Sequence, residues 1–482
     1  MAIAFTQIPA NLLVPGQYQE IDNSLAGESG EIKRVLIVGL KSNTGKAQAG
    51  VPVSVLSPSV AGDLFGFGSP ASIAAETFLK HNKVESLSVL PIAEPEAGTA
   101  WKQTFTVAAS SVAAGSIEIC INGRTVFAKV DEGSTADKIT ASIVAAFNGL
   151  LNNPVEAKVD GSTPNKVIVS SVVKGAGGNK NTVEITAHAL GVSVTAEDAV
   201  QGTGVADLTA LPDMLGSNRW NYIVYDFDDA ESIKLLATEL ESRYSATRQI
   251  GGRAFITLSG TAESVISQAE KINSPHICLI PKGADKALPC LWSASFAAAA
   301  CRVLADDPSA NTYDVQVTDL AAPFDHDFDT RQKLLEAGIA TWRLDPAGTV
   351  LIERLVTSYT ENADGGRDTS YLDIQVVETV DAVRTYINAE AKKRFKKWKL
   401  ASTDENFGAG AKVMTPGIWR SFLADLYQTV FIQEKNWCQD FESYKASIFV
   451  EVKAGSKTRL EYSHRPVLIG QFLIGAGLNQ FK

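Results

Sequence analysis

The residue types that build metal and redox centres are scarce in this 482-residue chain, which has five cysteines, five histidines and three methionines. Cys120, Cys278, Cys290, Cys301 and Cys438 are widely separated and form no CxxC pair, which excludes zinc ribbons and thioredoxin-type motifs. An odd, scattered set fits free thiols in a reducing compartment. No cofactor and no metal is expected. Positive charge is in deficit: 44 Lys and Arg against 54 Asp and Glu give a net charge of −10. That is the wrong sign for a chain that coats nucleic acid, so no nucleic-acid partner is expected. No apolar run reaches the ~18 residues of a membrane span, so direct membrane insertion is not expected either. The first 19 residues carry no charged side chain, whereas a secretory signal opens on cations. Folding in a cytoplasm is the expectation.

Hydrophobic residues, at 45%, are enough for a sizeable core. A chain of this length divides into two to four domains at ~100–200 residues each. Residues 1–20 read as an extended arm, with apolar Ile3, Phe5, Ile8, Leu12, Leu13 and Val14 and two prolines, Pro9 and Pro15. From Arg34 the pattern is βαβ: a strand over 34–39, a helix over about 70–82 behind Ser69-Pro70, and a strand over 87–92. Residues 100–200 are poor in charge. Strands are expected there at 104–107, 116–121, 124–130, 166–170 and 182–186, with Asn122-Gly123 as a hairpin turn, one helix over 134–148, and a turn-rich loop over 175–179. After 203 the βαβ rhythm resumes, with strands at 222–225, 254–258 and 276–280. Helices are expected at 229–244, 261–272 and 289–304, the last Ala-rich and buried.

The last third has its own pattern. Leu372, Val376, Val380, Val383 and Ile387 step along one helix face. Trp419, Phe422, Leu423, Leu426 and Val430 mark a second helix, which starts at Thr415-Pro416. A hairpin follows, with Ile448, Val450 and Val452 opposite Leu460 and Tyr462. The uncharged stretch over 466–474 reads as one more strand.

Candidate chemistry is thin. Gly39-Leu-Lys-Ser-Asn-Thr-Gly-Lys46 follows a strand, but five residues separate its outer glycines where a P-loop has four, and Ala47 lacks the hydroxyl that holds magnesium. The next segment, with Pro52, reads as a strand. A turn is the better reading. Phe324-Asp-His-Asp-Phe-Asp329 could ligate a metal, but neighbours on a strand point to opposite faces, and Asp329 suits the cap of a helix over 330–337. No Gly-x-Ser-x-Gly elbow occurs, and no histidine has an obvious nucleophile near it. A hydrolase-like enzyme on the α/β core is the alternative to a structural role. The basic run Lys392-Lys-Arg-Phe-Lys-Lys-Trp-Lys399 fits an acidic partner or a solvated helix end better than nucleic acid or a membrane surface. Two uncharged, apolar ends are the more unusual signal. Soluble proteins blunt such edges with charge, so either each end folds onto its own chain or it completes a sheet in another copy. On the residues alone these two readings stand level.

Longer matches point to a family. Gly202-Thr-Gly-Val-Ala-Asp207, Asn218-Arg-Trp-Asn-Tyr-Ile-Val224, Asn273-Ser-Pro-His276, Gly338-Ile-Ala340, Ile352-Glu-Arg-Leu355, Thr357-Ser-Tyr-Thr360, Asp368-Thr-Ser-Tyr-Leu-Asp373 and Val413-Met-Thr-Pro416 occur in that order. Together they resemble the tail sheath proteins of Mu-like contractile phages and prophages, most weakly over 100–200. The resemblance implies a non-enzymatic α/β chain with a subtilisin-like doubly wound core, an inserted β-rich domain and an α+β C-terminal domain. The division it implies is an N-terminal arm (1–20), core (21–99 and 202–358), insert (100–201), C-terminal domain (359–464) and C-terminal arm (465–482). It implies hexameric rings stacked in a helical lattice around a tail tube protein, with baseplate and tail terminator partners, in a virion tail assembled in the host cytoplasm. Contraction would drive the tube through the host envelope. Ile3, Phe5, Ile8, Val467, Ile469 and Phe472 take the role of inter-subunit arms, and Ile448, Val450, Val452, Leu460 and Tyr462 that of the acceptor hairpin. Trp419 and Arg420 fall on the tube-attachment helix; Lys393 and Lys397 are expected on the same inner side.

Overall fold

A computed structural model describes residues 33–408 and 410–481. The expected arm with Ile3, Phe5 and Ile8 lies outside the described residues.

Strand β1 (Arg34–Leu40) is buried from Val35 onward, as an apolar run covered on both faces must be. β2 (Val53–Ser54) is all that forms of the strand expected around Pro52; a helix, α1 (Pro58–Phe65), follows it. α2 (Pro70–His81) starts where Ser69 Oγ accepts the Ser72 N–H, and leads into β3 (Ser86–Ile92).

The chain then leaves the sheet. β4 (Lys102–Ala109), β5 (Gly115–Ile121) and β6 (Arg124–Val130) precede α3 (Ala136–Asn148), and β7 (Val155–Val159), β8 (Lys166–Ser171), β9 (Val183–Ala187) and β10 (Val192–Ala196) follow it. Asn122 and Gly123 both have positive φ, 48° and 82°, the geometry of a tight hairpin turn. The strands form two antiparallel sheets, β10-β4-β8-β7 and β6-β5-β9. They share a core of their own with α3, built on Phe105, Ile117, Ile143 and Phe147.

On its return the chain forms α4 (Leu211–Leu215), β11 (Tyr222–Tyr225), α5 (Ala230–Tyr244), β12 (Arg253–Leu258), α6 (Ala262–Ala269), β13 (Ile277–Pro281) and α7 (Pro289–Leu304). The main sheet runs β13-β12-β11-β1-β3-β2, parallel except for β2. Phe78 of α2 with Trp292 and Phe296 of α7 belong to one core, and Leu211, Leu236 and Val265 of α4, α5 and α6 to the other. Alanines 297 to 300 let α7 lie close on the strands, and burying each large side chain here contributes about 1.5–3 kcal/mol.

A smaller sheet, β14 (Gln316–Val317), β15 (Thr341–Leu344) and β16 (Val350–Arg354), has α8 (Phe328–Glu336) beside β15. The cap of α8 is Asp327, which accepts the Thr330 N–H at 2.7 Å, and not Asp329, which falls in the first turn. The last third opens with α9 (Ile374–Arg394). Its buried face includes Ile374, Val377, Asp381, Val383 and Ile387; Leu372 precedes the helix and Val376 and Val380 are half-buried. The expected stripe was offset because ionic contacts, not only apolar ones, seat this helix. β17 (Lys399–Leu400) and β18 (Val413–Met414) lead to α10 (Pro416–Leu426), which continues as a π-helical turn over Tyr427–Glu434. β19 (Cys438–Gln439), α11 (Phe441–Ser447), β20 (Phe449–Val452), β21 (Leu460–Ser463) and β22 (Val467–Leu468) complete the chain.

Candidate assembly surfaces and polar sites

β20 and β21 form a two-stranded sheet in the register Val450↔Tyr462 and Val452↔Leu460. Among the described residues neither outer edge pairs with a third strand, so each presents unpaired N–H and C=O groups. Val450 is buried on the C-terminal core and Tyr462 is more than a third exposed. Ile448, expected in the hairpin, lies just before it as the C-cap of α11.

The tail departs from expectation. Only Val467–Leu468 of the strand expected over 466–474 forms, and it pairs with Cys438–Gln439 of the same chain. The Tyr427 hydroxyl accepts the Val467 N–H at 3.0 Å and donates to the Gln439 carbonyl at 2.6 Å. Ile469 N–H reaches the Trp437 carbonyl, and Asn311 donates to that of Phe472. Val467 and Ile469 are therefore anchored to their own chain, because the β19 edge satisfies their backbone groups. The Phe472 side chain is exposed, as are Ile474, Leu478 and Phe481.

Trp419 does not face outward. It shares a helix side with Phe422 and stacks near Phe395, Phe422 and Tyr462 at ring distances of 5.2–5.8 Å. Arg420, Lys393 and Lys397 are exposed. In the basic run the cations point to solvent, while Phe395 and Trp398 are half-buried against each other.

A charged seat lies under α9. Arg253, 1% exposed, places Nε 3.2 Å from Glu378 and donates through Nη1 to His276 Nδ1 at 3.1 Å. That acceptor role puts the imidazole proton on Nε2, which donates to Glu241 at 3.0 Å. Burial holds the His276 pKa below its usual value, and the same burial raises that of Glu378. Asp381 pairs with Arg219 and with Arg384, whose guanidinium lies 4.0 Å over the Tyr244 ring. Arg253 Nη2 and the Tyr222 hydroxyl are buried without partners, places suited to ordered water.

A cavity of about 260 Å³ opens where β1 and β11 end. Lys180 crosses it to Asp228 at 2.8 Å. Asp226 behind them is raised to about 7, chiefly by burial; Lys180 opposes the shift and Asp228 adds to it. Burial also pushes the Cys290 thiol well above its usual value, the opposite of what a nucleophile needs.

His81 has a superficially triad-like setting, with Nδ1 2.7 Å from the Thr318 hydroxyl and Nε2 2.8 Å from Asp319. Lys80 holds the same carboxylate oxygen, and Thr318 and Asp319 are consecutive, so the contacts tie one loop to the end of α2. The Gly39–Lys46 segment is a turn in which Gly45 N–H bonds Ser42 O. Among the described residues no group of three or more His, Cys, Asp or Glu is arranged for a metal. No helix among them is long and apolar enough to cross a membrane. Several motif segments meet at one corner: Asn273 accepts from Thr360, Ser274 and Ser358 bond each other, and Gly338 packs on Ser358.

Residues 201–358 match the family model described as the phage tail sheath protein central domain. Over 491 aligned residues, covering all of both chains, the sequence is 30% identical to a Mu-like prophage FluMu tail sheath protein of Haemophilus influenzae. Among solved structures, a sheath tail protein of Desulfitobacterium hafniense is 14% identical with a TM-score of 0.48, over 94% of this chain and 100% of that one. One from Listeria innocua is 12% identical with a TM-score of 0.46, over 92% and 96%.

Proposed function

Because the chain belongs to the tail sheath family of Mu-like contractile phages and prophages, we propose that it polymerises as stacked hexameric rings around a tail tube and shortens to drive that tube through a host envelope. It is a mechanical subunit without turnover. The observation that carries the reading is the two-edged β20–β21 hairpin together with an apolar tail that runs exposed beyond its anchor. A strand added to either edge would gain main-chain hydrogen bonds without new side-chain pockets.

In this reading Val467 and Ile469 form the fixed stem of the C-terminal arm, and Phe472 begins the part that crosses to a neighbour. Ile3, Phe5 and Ile8 are assigned to a second arm. Val450, Val452, Leu460 and Tyr462 hold the acceptor in shape, with Ile448 at its base. Arg420, Lys393 and Lys397 face the tube, and Trp419 braces them from beneath. The parallel sheet with its helices is the subtilisin-like core, residues 100–201 an outer insert, and 359–464 the lattice domain. Each interface need release only a few kcal/mol on contraction, since packed interfaces with two arrangements differ by about that much. Tube, baseplate and terminator proteins are the partners, in a virion tail assembled in the host cytoplasm.

Truncation tests this. Removing 473–482 should leave a folded, soluble chain that no longer forms tubes by electron microscopy. Full-length sleeves from the truncated chain would overturn the arm assignment. Reversing charge at Lys393 and Lys397 should weaken co-assembly with the tube protein, and unchanged co-assembly would remove those residues from the tube face.

A further inference from the structure

Residues 464–469 lead from the acceptor hairpin into the stem of the departing arm. Resting on that arm assignment, we infer that two stacked tyrosines, Tyr427 and Tyr444, are positioning residues for assembly: their hydroxyls clamp this joint, so that each copy holds its acceptor edge and its outgoing arm at one fixed angle.

Local structure brings the pair together. Tyr427 opens the π-helical turn that continues α10, and Tyr444 lies in α11, which runs directly into the hairpin. Both are fully buried. Their rings lie 3.5 Å apart at an interplanar angle of 5°, so the pair forms one block. A phenylalanine at either position would fill the same space in the core. What a hydroxyl adds is a polar group that needs a partner when buried, and both find theirs on the joint. Tyr444 Oη lies 3.0 Å from His464 Nδ1. Tyr427 Oη accepts the Val467 N–H, donates to the Gln439 carbonyl of the neighbouring strand, and stands 3.2 Å from the Val467 carbonyl. One hydroxyl thus ties the stem, the β19 edge and the end of α10.

The residues between these two holds are fixed as well. Ser447, the last residue of α11, accepts the Arg465 N–H at 3.0 Å and donates to the Tyr444 carbonyl at 2.7 Å. Pro466 has no N–H to satisfy and a restricted φ. Gln439 Nε2 donates to the Leu468 carbonyl at 3.2 Å, and Ile469 N–H to the Trp437 carbonyl at 3.0 Å. Past Ile469 the fastenings thin to two side chains, Gln471 on the Ser309 carbonyl and Asn311 on that of Phe472. A Cβ on Gly477 would meet nothing within 4 Å, and one on Gly475 only neighbouring ring atoms of Phe472 at 3.6 Å. Crowding therefore requires neither glycine, and what both supply is backbone freedom. The chain is held up to Phe472 and free to turn after it. A stem set in advance lowers the ordering cost when the arm pairs with another copy's edge.

Hydrogen exchange on the full chain, kept below its assembly concentration, and electron microscopy of assembled tubes test the clamp together. In the wild-type chain the Arg465, Val467 and Ile469 amides should be protected, and those of 473–481 should exchange freely. Tyr427→Phe should speed Val467 exchange about tenfold, the effect of losing one hydrogen bond, and Tyr444→Phe should loosen Arg465 by freeing His464. β20 and β21 should stay as protected as in wild type, and both variants should give tubes that are shorter and lack a regular repeat. Val467 as free as 473–481 in the wild-type chain, Val467 unchanged in Tyr427→Phe, or regular tubes from both variants would each overturn the inference. So would loss of β20 and β21 protection in both variants, which marks general loosening of the core. If Tyr427→Phe does not fold, Tyr444→Phe and the wild-type pattern still decide. Removing 473–482 separates the two levels. Full-length tubes from that chain would refute the arm assignment itself, whereas lost tubes there with regular tubes from both phenylalanine variants would refute the clamp alone.

Discussion

Replacing Arg253 by methionine keeps most of the buried stem and removes the charge on which Glu378 depends. The guanidinium is 1% exposed, lies 3.2 Å from Glu378, and also donates to Gly252 O at 2.7 Å and to His276. Glu378 is already raised by burial, with Arg253 as its leading counterweight and Asp381 pushing the same way as burial. Removing one partner of a buried pair costs about 3–5 kcal/mol, because the other charge is left uncompensated. The deficit should therefore be about that size at neutral pH, read by denaturant unfolding with tryptophan fluorescence. The sign with pH follows: a carboxyl raised in the folded state is proton-hungry there, so the deficit shrinks as pH falls and Glu378 becomes neutral. Arg253→Met with Glu378→Leu should recover most of the loss. A single-variant cost below about 1 kcal/mol, or a double variant no better than the single, would refute the idea that this pair seats α9.

Asp226→Asn should stabilise the chain above neutrality and leave it unchanged at strongly acid pH. The raised carboxyl stabilises the fold only while it is protonated, and that contribution is lost as pH rises toward about 7. The gap from 3.8 to about 7, at about 1.4 kcal/mol per unit, bounds the gain at about 4 kcal/mol; a variant less stable than wild type at the alkaline end would contradict this. Gly338 has φ +72°, and an added Cβ would stand 2.9 Å from the Ser358 backbone. Gly338→Ala should therefore cost about 1–3 kcal/mol and lower the thermal midpoint, and an unchanged midpoint would refute the packing argument.

Where periodicity and caps agreed, the sequence was enough. Pro289–Leu304 appears with the bounds its Ala-rich run implied, and Ser69, Asp229 and Thr261 cap the helices they precede. Two short strands were missed: β7 (VEAKV) and β10 (VSVTA) do alternate apolar and polar residues, but each is only five residues long and exposes most of its side chains. The α8 start slipped by two residues because Asp327 and Asp329 are equally good caps by type, and only backbone geometry chooses between them. The tail from 466 was over-read as one strand. An uncharged run records that backbone groups can pair, not how many find an edge. The charged seat was least legible. Arg219 and Arg253 lie more than a hundred residues from Glu378 and Asp381, and nothing in local pattern says that they meet. One signal was available: Asp381 falls in helical step with buried Ile374 and Val377, and a carboxylate in such a place needs cations opposite it.

α9 spans both halves of this arrangement. Its first turns sit in the ionic seat, and its later residues Val383 and Ile387 join the cluster around Leu423 and Phe431. With 21 residues it is about 30 Å long. Over that length, each degree of tilt about the seat would displace the far end by about 0.5 Å, so the rigidity of the ionic seat sets how precisely the cluster around Leu423 is positioned.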